Sequence, residues 1–240
     1  MSASAATIWH DVECGAYDAD LPLWEELAAA SEGPVLELGC GTGRVALHLA
    51  RRGRAVIGLD QDPELLAALA ERGEDLPLRT VVADARAFEV DEPVALVLAP
   101  THLLQLLPDS TQRLESLRCI AAALRPGGLL AAAIIESMPE ADGAPPPLPD
   151  VREVDGWVYS SLAVEAAVGP GEIVVRRLRQ LVSPEGSLSE EPNEVRIATF
   201  TAEALENEAA ECGLVPAGRR EIPPTSMHEG SLVLLLERSV

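Results

Sequence analysis

Three glycines fall within five residues, Gly39-Cys40-Gly41-Thr42-Gly43, directly after the apolar stretch Val35-Leu36-Glu37-Leu38. A glycine loop between a buried strand and a helix lets a ligand approach the backbone closely, because no Cβ intervenes. Two acids stand in comparable places. Asp60 ends the apolar run from Ala55 to Leu59, and Asp84 ends the run from Leu78 to Ala83. In open α/β sheets ligands bind at the C-terminal ends of the strands, and an acid ending the second strand can accept both hydroxyls of a ribose. A nucleoside-bearing ligand is therefore expected. The dinucleotide fingerprint G-x-G-x-x-G/A puts a small residue where helix and strand pack. Here the spacing is Gly39-x-Gly41-x-Gly43, and the next residue is the bulky Arg44. Glu37, two residues before the loop, is an awkward neighbour for a pyrophosphate and suits a cationic amino-acid tail.

Such positions need a sheet to hold them. After an irregular N-terminus, Asp20 followed by Leu21-Pro22 reads as a helix start, with Leu23, Trp24 and Leu27 as its apolar stripe. Val35 to Leu38, Ala55 to Leu59, Leu78 to Ala83, Val94 to Ala99 and Leu129 to Ile135 read as five short apolar strands. Helices are expected between them. One runs from Arg44 to Arg52, and one is capped by Asp62 with Pro63 in its first turn. Another is capped by Asp109 with Gln112 and runs through Leu124, before a turn at Arg125-Pro-Gly-Gly128. Short apolar strands alternating with helices mean a parallel sheet covered on both faces, an α/β fold. From Ser137 the character changes. The run from Ala144 to Pro149 is a proline-rich loop, and Trp157 to Val168 and Glu172 to Val182 form a hairpin about Gly169-Pro-Gly171. Glu194 to Thr199 adds a strand, and Thr201 caps a helix to Cys212. Strands around Leu214 to Ile222 and Leu232 to Glu237 follow, with Met227, His228 and Glu229 in the loop between them. The expectation is one domain over residues 1–240, with a helical segment over 1–33. A β-rich insertion over 137–199 either caps the active site or mediates dimerisation, as in a homodimer.

Composition removes several classes of function. The formal charge is −21, with no basic stripe to offset it, which argues against nucleic acid as a partner. All 18 basic residues are Arg. Without Lys there is no Walker-type phosphate loop, no pyridoxal phosphate Schiff base and no lysine nucleophile. Cys14, Cys40, Cys119 and Cys212 form no C-x-x-C pair, so neither zinc nor a disulfide framework is expected, and no metal enters the reading. No secretory signal is visible and the longest apolar stretch, Val94 to Leu107, is too broken for a membrane span. A cytoplasmic protein is expected.

The run Val35-Leu-Glu-Leu-Gly-Cys-Gly-Thr-Gly-Arg44 resembles the first motif of class I S-adenosylmethionine-dependent methyltransferases. Gly58-Leu-Asp60-Gln-Asp-Pro63 is similar to the family's second-strand motif, Val82-Ala-Asp84-Ala85 to its adenine-contacting segment, and Leu124-Arg-Pro-Gly-Gly128 to the turn before its fifth strand. Phe200 to Leu205, continuing through Cys212-Gly213, resembles the last helix of its small-molecule members. The resemblance implies a Rossmann-like, doubly wound, seven-stranded, mostly parallel sheet and S-adenosylmethionine as cofactor, leaving S-adenosylhomocysteine. It also implies roles. The backbone of Gly39, Cys40 and Gly41, with Gly43 completing the loop, would hold the methionine end, and Glu37 would support the loop and the ammonium. Asp60 would bind the ribose hydroxyls with Gln61 beside the adenosine. Asp84 would accept from the adenine amino group and the Ala85 amide would donate to the ring. Ala99 and Pro100 would line the sulfonium, and Tyr17 would close over the carboxylate or else simply pack.

Methyl transfer from a sulfonium needs a general base mainly when the acceptor is a hydroxyl. Among the histidines, His48 sits within the helix after the glycine loop and His10 in the irregular N-terminus. His102, beside the expected methyl position, is the candidate base or substrate orienter. Thr101, Glu136 and Tyr159 are the candidate substrate contacts, whereas His228 reads as a surface residue in preference to a site residue. The reading is a methyltransferase acting on a nitrogen or oxygen of a small molecule. Its rivals are an NAD(P)-dependent oxidoreductase and a non-catalytic regulatory protein that binds the same cofactor.

Overall fold

The computed structural model describes residues 4–137, 148–225 and 228–239. Residues 144–147 of the proline-rich run, and Met227, lie outside them. Five strands, β1 (Val35–Leu38), β2 (Val56–Asp60), β3 (Leu78–Val82), β4 (Val94–Ala99) and β5 (Leu124–Ile134), run parallel. Among the described residues six α-helices accompany the strands: α1 (Ala5–Cys14), α2 (Leu21–Ala30), α3 (Arg44–Ala50), α4 (Pro63–Arg72), α5 (Ser110–Ala123) and α6 (Ala202–Glu211). A hairpin of β10 (Leu214–Ile222) and β11 (Ser231–Arg238) adds to β5, with β11 antiparallel, completing a seven-stranded sheet ordered β10-β11-β5-β4-β1-β2-β3. The expected α/β, Rossmann-like, mostly parallel sheet is what the chain forms.

Alternation along each strand divides the core into two layers. Leu36, Leu38, Ile57, Leu59, Val97 and Ala99 face α5 and α6, where Leu117, Ile120 and Leu205 meet them. Val35, Val56, Leu96 and Leu98 face α2, α3 and α4, against Trp24, Leu49 and Leu69. Glu37 shares its face with Val35, so its carboxylate is carried into the layer beneath α3.

A second, antiparallel sheet of four strands comprises β6 (Asp150–Val154), β7 (Trp157–Gly169), β8 (Glu172–Val182) and β9 (Leu188–Ala198). It bears out the β-rich insertion, with β6 added and β9 starting six residues earlier than the expected Glu194. The two sheets are joined at the buried side chain of Gln105. Its Nε2 donates to Ile135 O (2.9 Å) and Ala198 O (2.7 Å), and its Oε1 accepts from Ile135 N (2.7 Å).

Three expectations are corrected. The N-terminus is not irregular: Ser4 accepts from Thr7 N at 3.2 Å to cap α1, and Ile8, Trp9 and Val12 pack against Val154 and Tyr159 of the second sheet. Asp20 precedes α2 but makes no side-chain cap, because its carboxylate is taken by Arg44 and by Trp24 Nε1. Arg125 to Gly128 belongs to β5 as an irregularity, not to a separate turn: the register with β4 jumps from Val94↔Leu124 to Leu96↔Leu129.

Candidate functional site

The glycine loop leaves β1 and turns into α3 beside the end of β2. Three of its amides are already committed. Cys40 N donates to Leu59 O (3.0 Å), Gly41 N to Asp60 Oδ2 (2.8 Å) and Gly43 N to Cys40 O (2.9 Å). A phosphate would need such amides free. Beneath the loop Glu37 is buried, and its Oε2 meets no hydrogen-bond partner among the described residues. Burial pushes its carboxyl up to about 8, although Arg44 and the Ala46 amide pull the other way. A buried acceptor without a partner is costly, and a cationic group arriving at the loop would supply one. The buried Glu37 carboxyl suits a cation better than a pyrophosphate.

Arg44 does not enter the loop. Its guanidinium forks onto the buried Asp20 at 2.5 and 2.7 Å, donates to Tyr17 O at 3.0 Å and reaches Thr101 Oγ1 at 3.4 Å. It also lies 5.0 Å from the centre of the Tyr17 ring. A residue tied into α2 in this way cannot give the close helix–strand contact of a dinucleotide motif. Cys40 is buried against Gly58, and its thiol is driven far up by burial, so it is a packed loop residue and not a nucleophile.

Asp60 sits at the tip of β2, half-buried, its Oδ1 accepting from Asp62 N at 3.0 Å. Gln61 next to it is exposed. Asp84 follows β3, but its carboxylate is held by Arg86, whose side chain donates at 2.9 and 2.5 Å and whose amide donates at 2.8 Å. Those hydrogen bonds keep it at about 2. The acid expected to face an adenine is thus strongly engaged locally, with half-buried Ala85 beside it.

At the end of β4, Ala99 and Pro100 are buried, and the next two residues are both left-handed, Thr101 at φ 51° and His102 at φ 63°. A residue outside glycine held in that region costs about 1–3 kcal/mol, and such strain gathers at functional positions. The turn aims His102 at β11, where Nε2 meets Ser231 Oγ at 3.1 Å. Burial lowers His102 to about 4, so its imidazole is neutral at physiological pH. Tyr17 arrives from the α1–α2 connection and packs at a tilt against His228, with ring centres 4.4 Å apart and planes at 46°. His228, read from sequence as a surface residue, is half-buried, and burial lowers its pKa.

Two of the expected substrate contacts are occupied elsewhere. Glu136 Oε1 accepts from Ala202 N at 2.7 Å, capping α6. The Tyr159 ring lies edge-on to Trp9, centres 5.1 Å apart, cementing the second sheet to α1. Thr101 alone stands exposed beside the loop.

Sequence reasoning missed α1 altogether as part of the site. Its Asp11 accepts from Thr42 Oγ1 (2.7 Å), from Arg72 (2.6 and 2.9 Å) and from Arg152 of β6 (2.7 Å). Burial alone would raise Asp11; the bonds from Arg72 and Thr42 outweigh it and hold the carboxyl below its usual range. Glu13 forks onto Arg179 at 2.8 Å and accepts from Ser161 at 2.8 Å, so α1 is bound to the second sheet and to the glycine loop at once. Its signal was the spacing of Ile8, Trp9 and Val12 behind Ser4.

Comparison with known proteins agrees with this geometry. Residues 35–128 match the family model described as a methyltransferase domain. The ubiquinone biosynthesis O-methyltransferase of Aeromonas salmonicida is 31% identical over 111 residues, 45% of this chain and 45% of that protein. The chain therefore spans a little under half the length of that relative. Among solved structures, the S-adenosylmethionine-bound amino pentose methyltransferase CalS10 of Micromonospora echinaspora aligns with TM-score 0.72 at 18% identity, covering 97% of each chain. The sugar N-methyltransferase KedS8 from Streptoalloteichus aligns with TM-score 0.73 at 17% identity, covering 100% of this chain and 94% of its own. At that identity the likeness establishes the fold, over essentially the whole length.

Proposed function

We propose that the chain, whose residues 35–128 match the methyltransferase-domain model, is an S-adenosylmethionine-dependent methyltransferase that methylates a nitrogen or oxygen of a small molecule. The observation that carries this reading is the Glu37 oxygen, without a partner among the described residues, under a loop in which three amides are spent. Glu37 and the exposed Gly39 would take the ammonium end, with Cys40, Gly41 and Gly43 shaping the loop. Asp60 and Gln61 would take the ribose side, Asp84 and Ala85 the adenine, and Ala99 and Pro100 the wall behind the methyl. Tyr17, held by Arg44, would close the methionine end.

The cofactor supplies an electrophilic methyl group on a sulfonium. The protein then has to align an acceptor with it and keep water away, and alignment alone can contribute roughly 7–11 kcal/mol. His102, at the end of β4, would orient that acceptor. Held neutral, with Nε2 at the Ser231 hydroxyl, it is a poor proton acceptor, which argues for an acceptor that attacks unaided, such as a neutral amine. The amino sugar described for the CalS10 neighbour is of that class.

Among the described residues no helix is long and apolar enough to cross a membrane. A cytoplasmic setting, suited to four unpaired cysteines, and a homodimer through the second sheet belong to the same proposal. Calorimetric titration with S-adenosylmethionine, S-adenosylhomocysteine and NADH tests the core of it. The two sulfur compounds should bind and NADH should not; NADH binding alone would restore the oxidoreductase reading. Transfer of a methyl label to an amine library then separates an enzyme from a silent binding protein.

A further inference from the structure

We propose that His10 is a second ribose-binding residue, presenting a bare imidazole nitrogen beside Asp60 in a tautomer dictated by an Asp11–Thr42 relay. The inference rests on the reading of Asp60 as the ribose acid. It starts from the direction of two hydrogen bonds. Asp11 is ionised and only accepts, so the Thr42 hydroxyl spends its proton on Asp11 Oδ1 at 2.7 Å. Thr42 Oγ1 then faces His10 Nδ1, 3.2 Å away, with lone pairs alone. Nδ1 must be the donor. Burial lowers the His10 pKa, so the ring is neutral, and a neutral imidazole with its proton on Nδ1 leaves Nε2 as an acceptor. Among the described residues Nε2 has no hydrogen-bond partner.

Its location follows from Gly41. That residue is left-handed at φ 52°, and a Cβ built on it would collide with the His10 ring, Nε2 foremost. The imidazole edge therefore lies directly on the Gly41 backbone. The Gly41 amide is in turn bonded to Asp60 Oδ2 at 2.8 Å, and the Asp60 charge acts on His10. Two acceptors, a carboxylate and an imidazole nitrogen, thus flank one glycine at the tip of β2. A vicinal diol offers two donors. Asp60 already accepts from the Gly41 and Asp62 amides, so a second acceptor relieves it of binding both hydroxyls. The same placement explains why α1, although remote in sequence, is tied so firmly to the loop: the relay fixes the tautomer and Arg72 and Arg152 fix Asp11.

The test is a binding cycle with S-adenosylhomocysteine and its 2′-deoxy and 3′-deoxy analogues, measured by calorimetry on the full chain. His10→Asn keeps a donor in place of Nδ1 for Thr42 and removes Nε2, and His48→Asn, whose ring serves Glu25 at 3.0 Å, is the control. Wild type should lose about tenfold in affinity when the hydroxyl facing His10 is removed, a typical loss for one hydrogen bond to a buried partner. In His10→Asn the parent compound should bind about tenfold more weakly and that deoxy analogue no worse than the parent, while His48→Asn behaves as wild type. Unchanged affinity in His10→Asn, tighter binding, or an equal loss for all three compounds overturns the proposal. Wild type that binds none of the three compounds overturns the cofactor reading itself, a result distinguishable from failure at His10 alone. Matching circular dichroism and melting of the two variants excludes unfolding as the cause.

Discussion

Glu37 is the residue whose state a bound cation must change. Free, it holds its proton up to about 8, whereas in an unfolded chain a glutamate ionises near the ordinary value of 4.5. In that window the folded state binds more protons than the unfolded one. The stability the group contributes is complete below 4.5 and is lost as pH rises to about 8. Glu37→Gln carries no such loss, so melts between pH 5 and 8.5 should show wild type falling relative to the variant. Binding has the opposite proton balance: an ammonium at the loop favours the carboxylate, so at pH 7 S-adenosylhomocysteine should expel a proton. Calorimetry in phosphate and in Tris would then give different apparent enthalpies for wild type and equal ones for Glu37→Gln, with affinity at least tenfold lower in the variant. Equal heats for wild type would sink the pairing. Glu37 could be read from sequence because its oddity is local, an acid inside an apolar strand. His10 could not, since its meaning depends on Thr42 and Gly41, thirty residues away in the chain.

Elements were legible wherever local signals agreed. β4 is a continuous apolar run buried on both faces, β1 and β2 are buried runs broken by Glu37 and closed by Asp60, and α4, α5 and α6 carry caps that the structure confirms, with Asp62, Asp109 and Thr201 each accepting from the first turn. α1 failed because its apolar stripe is only three residues, although Gly15 closes it; its stability comes from Trp9 on Tyr159 and Glu13 on Arg179, partners far along the chain. β6 failed because it alternates weakly beside a proline-rich run, and pairing with β7 decides it. The same long-range logic makes Gln105 a test at this scale. Its amide satisfies three backbone groups at the junction of the two sheets, all buried. Gln105→Leu leaves the Ile135 amide and two carbonyls unpaired, and the loss should be about 2–4 kcal/mol by urea denaturation. A loss within 0.5 kcal/mol, roughly the size expected of surface substitutions, would mean that the junction relaxes freely.

The whole molecule couples a rigid α/β sheet to a smaller antiparallel one through α1 as well as through Gln105. Few surfaces of α1 are idle: His10 and Asp11 meet the loop, Asp11 meets α4 and β6, Glu13 meets β7 and β8, and Trp9 lies under Tyr159 and beside Arg179. The charge of −21 leaves cations scarce, so spending Arg72, Arg152 and Arg179 on this one joint concentrates them where the two sheets meet. Ordering the glycine loop should therefore order α1, and α1 should carry that order into the second sheet, because local openings are shared among elements that pack as one unit. Hydrogen exchange with and without S-adenosylhomocysteine reads this directly. Protection should rise at residues 37–43 and 60–62, and also across α1 and at β6 to β8, while α5 and α6 on the opposite layer stay unchanged. Asp11→Asn should keep the first effect and weaken the spread, since it removes the charge shared by Thr42, Arg72 and Arg152 while Glu13 and Trp9 still hold α1 to the second sheet. Protection confined to the glycine loop in wild type would show that the two sheets respond separately and that α1 only covers the site.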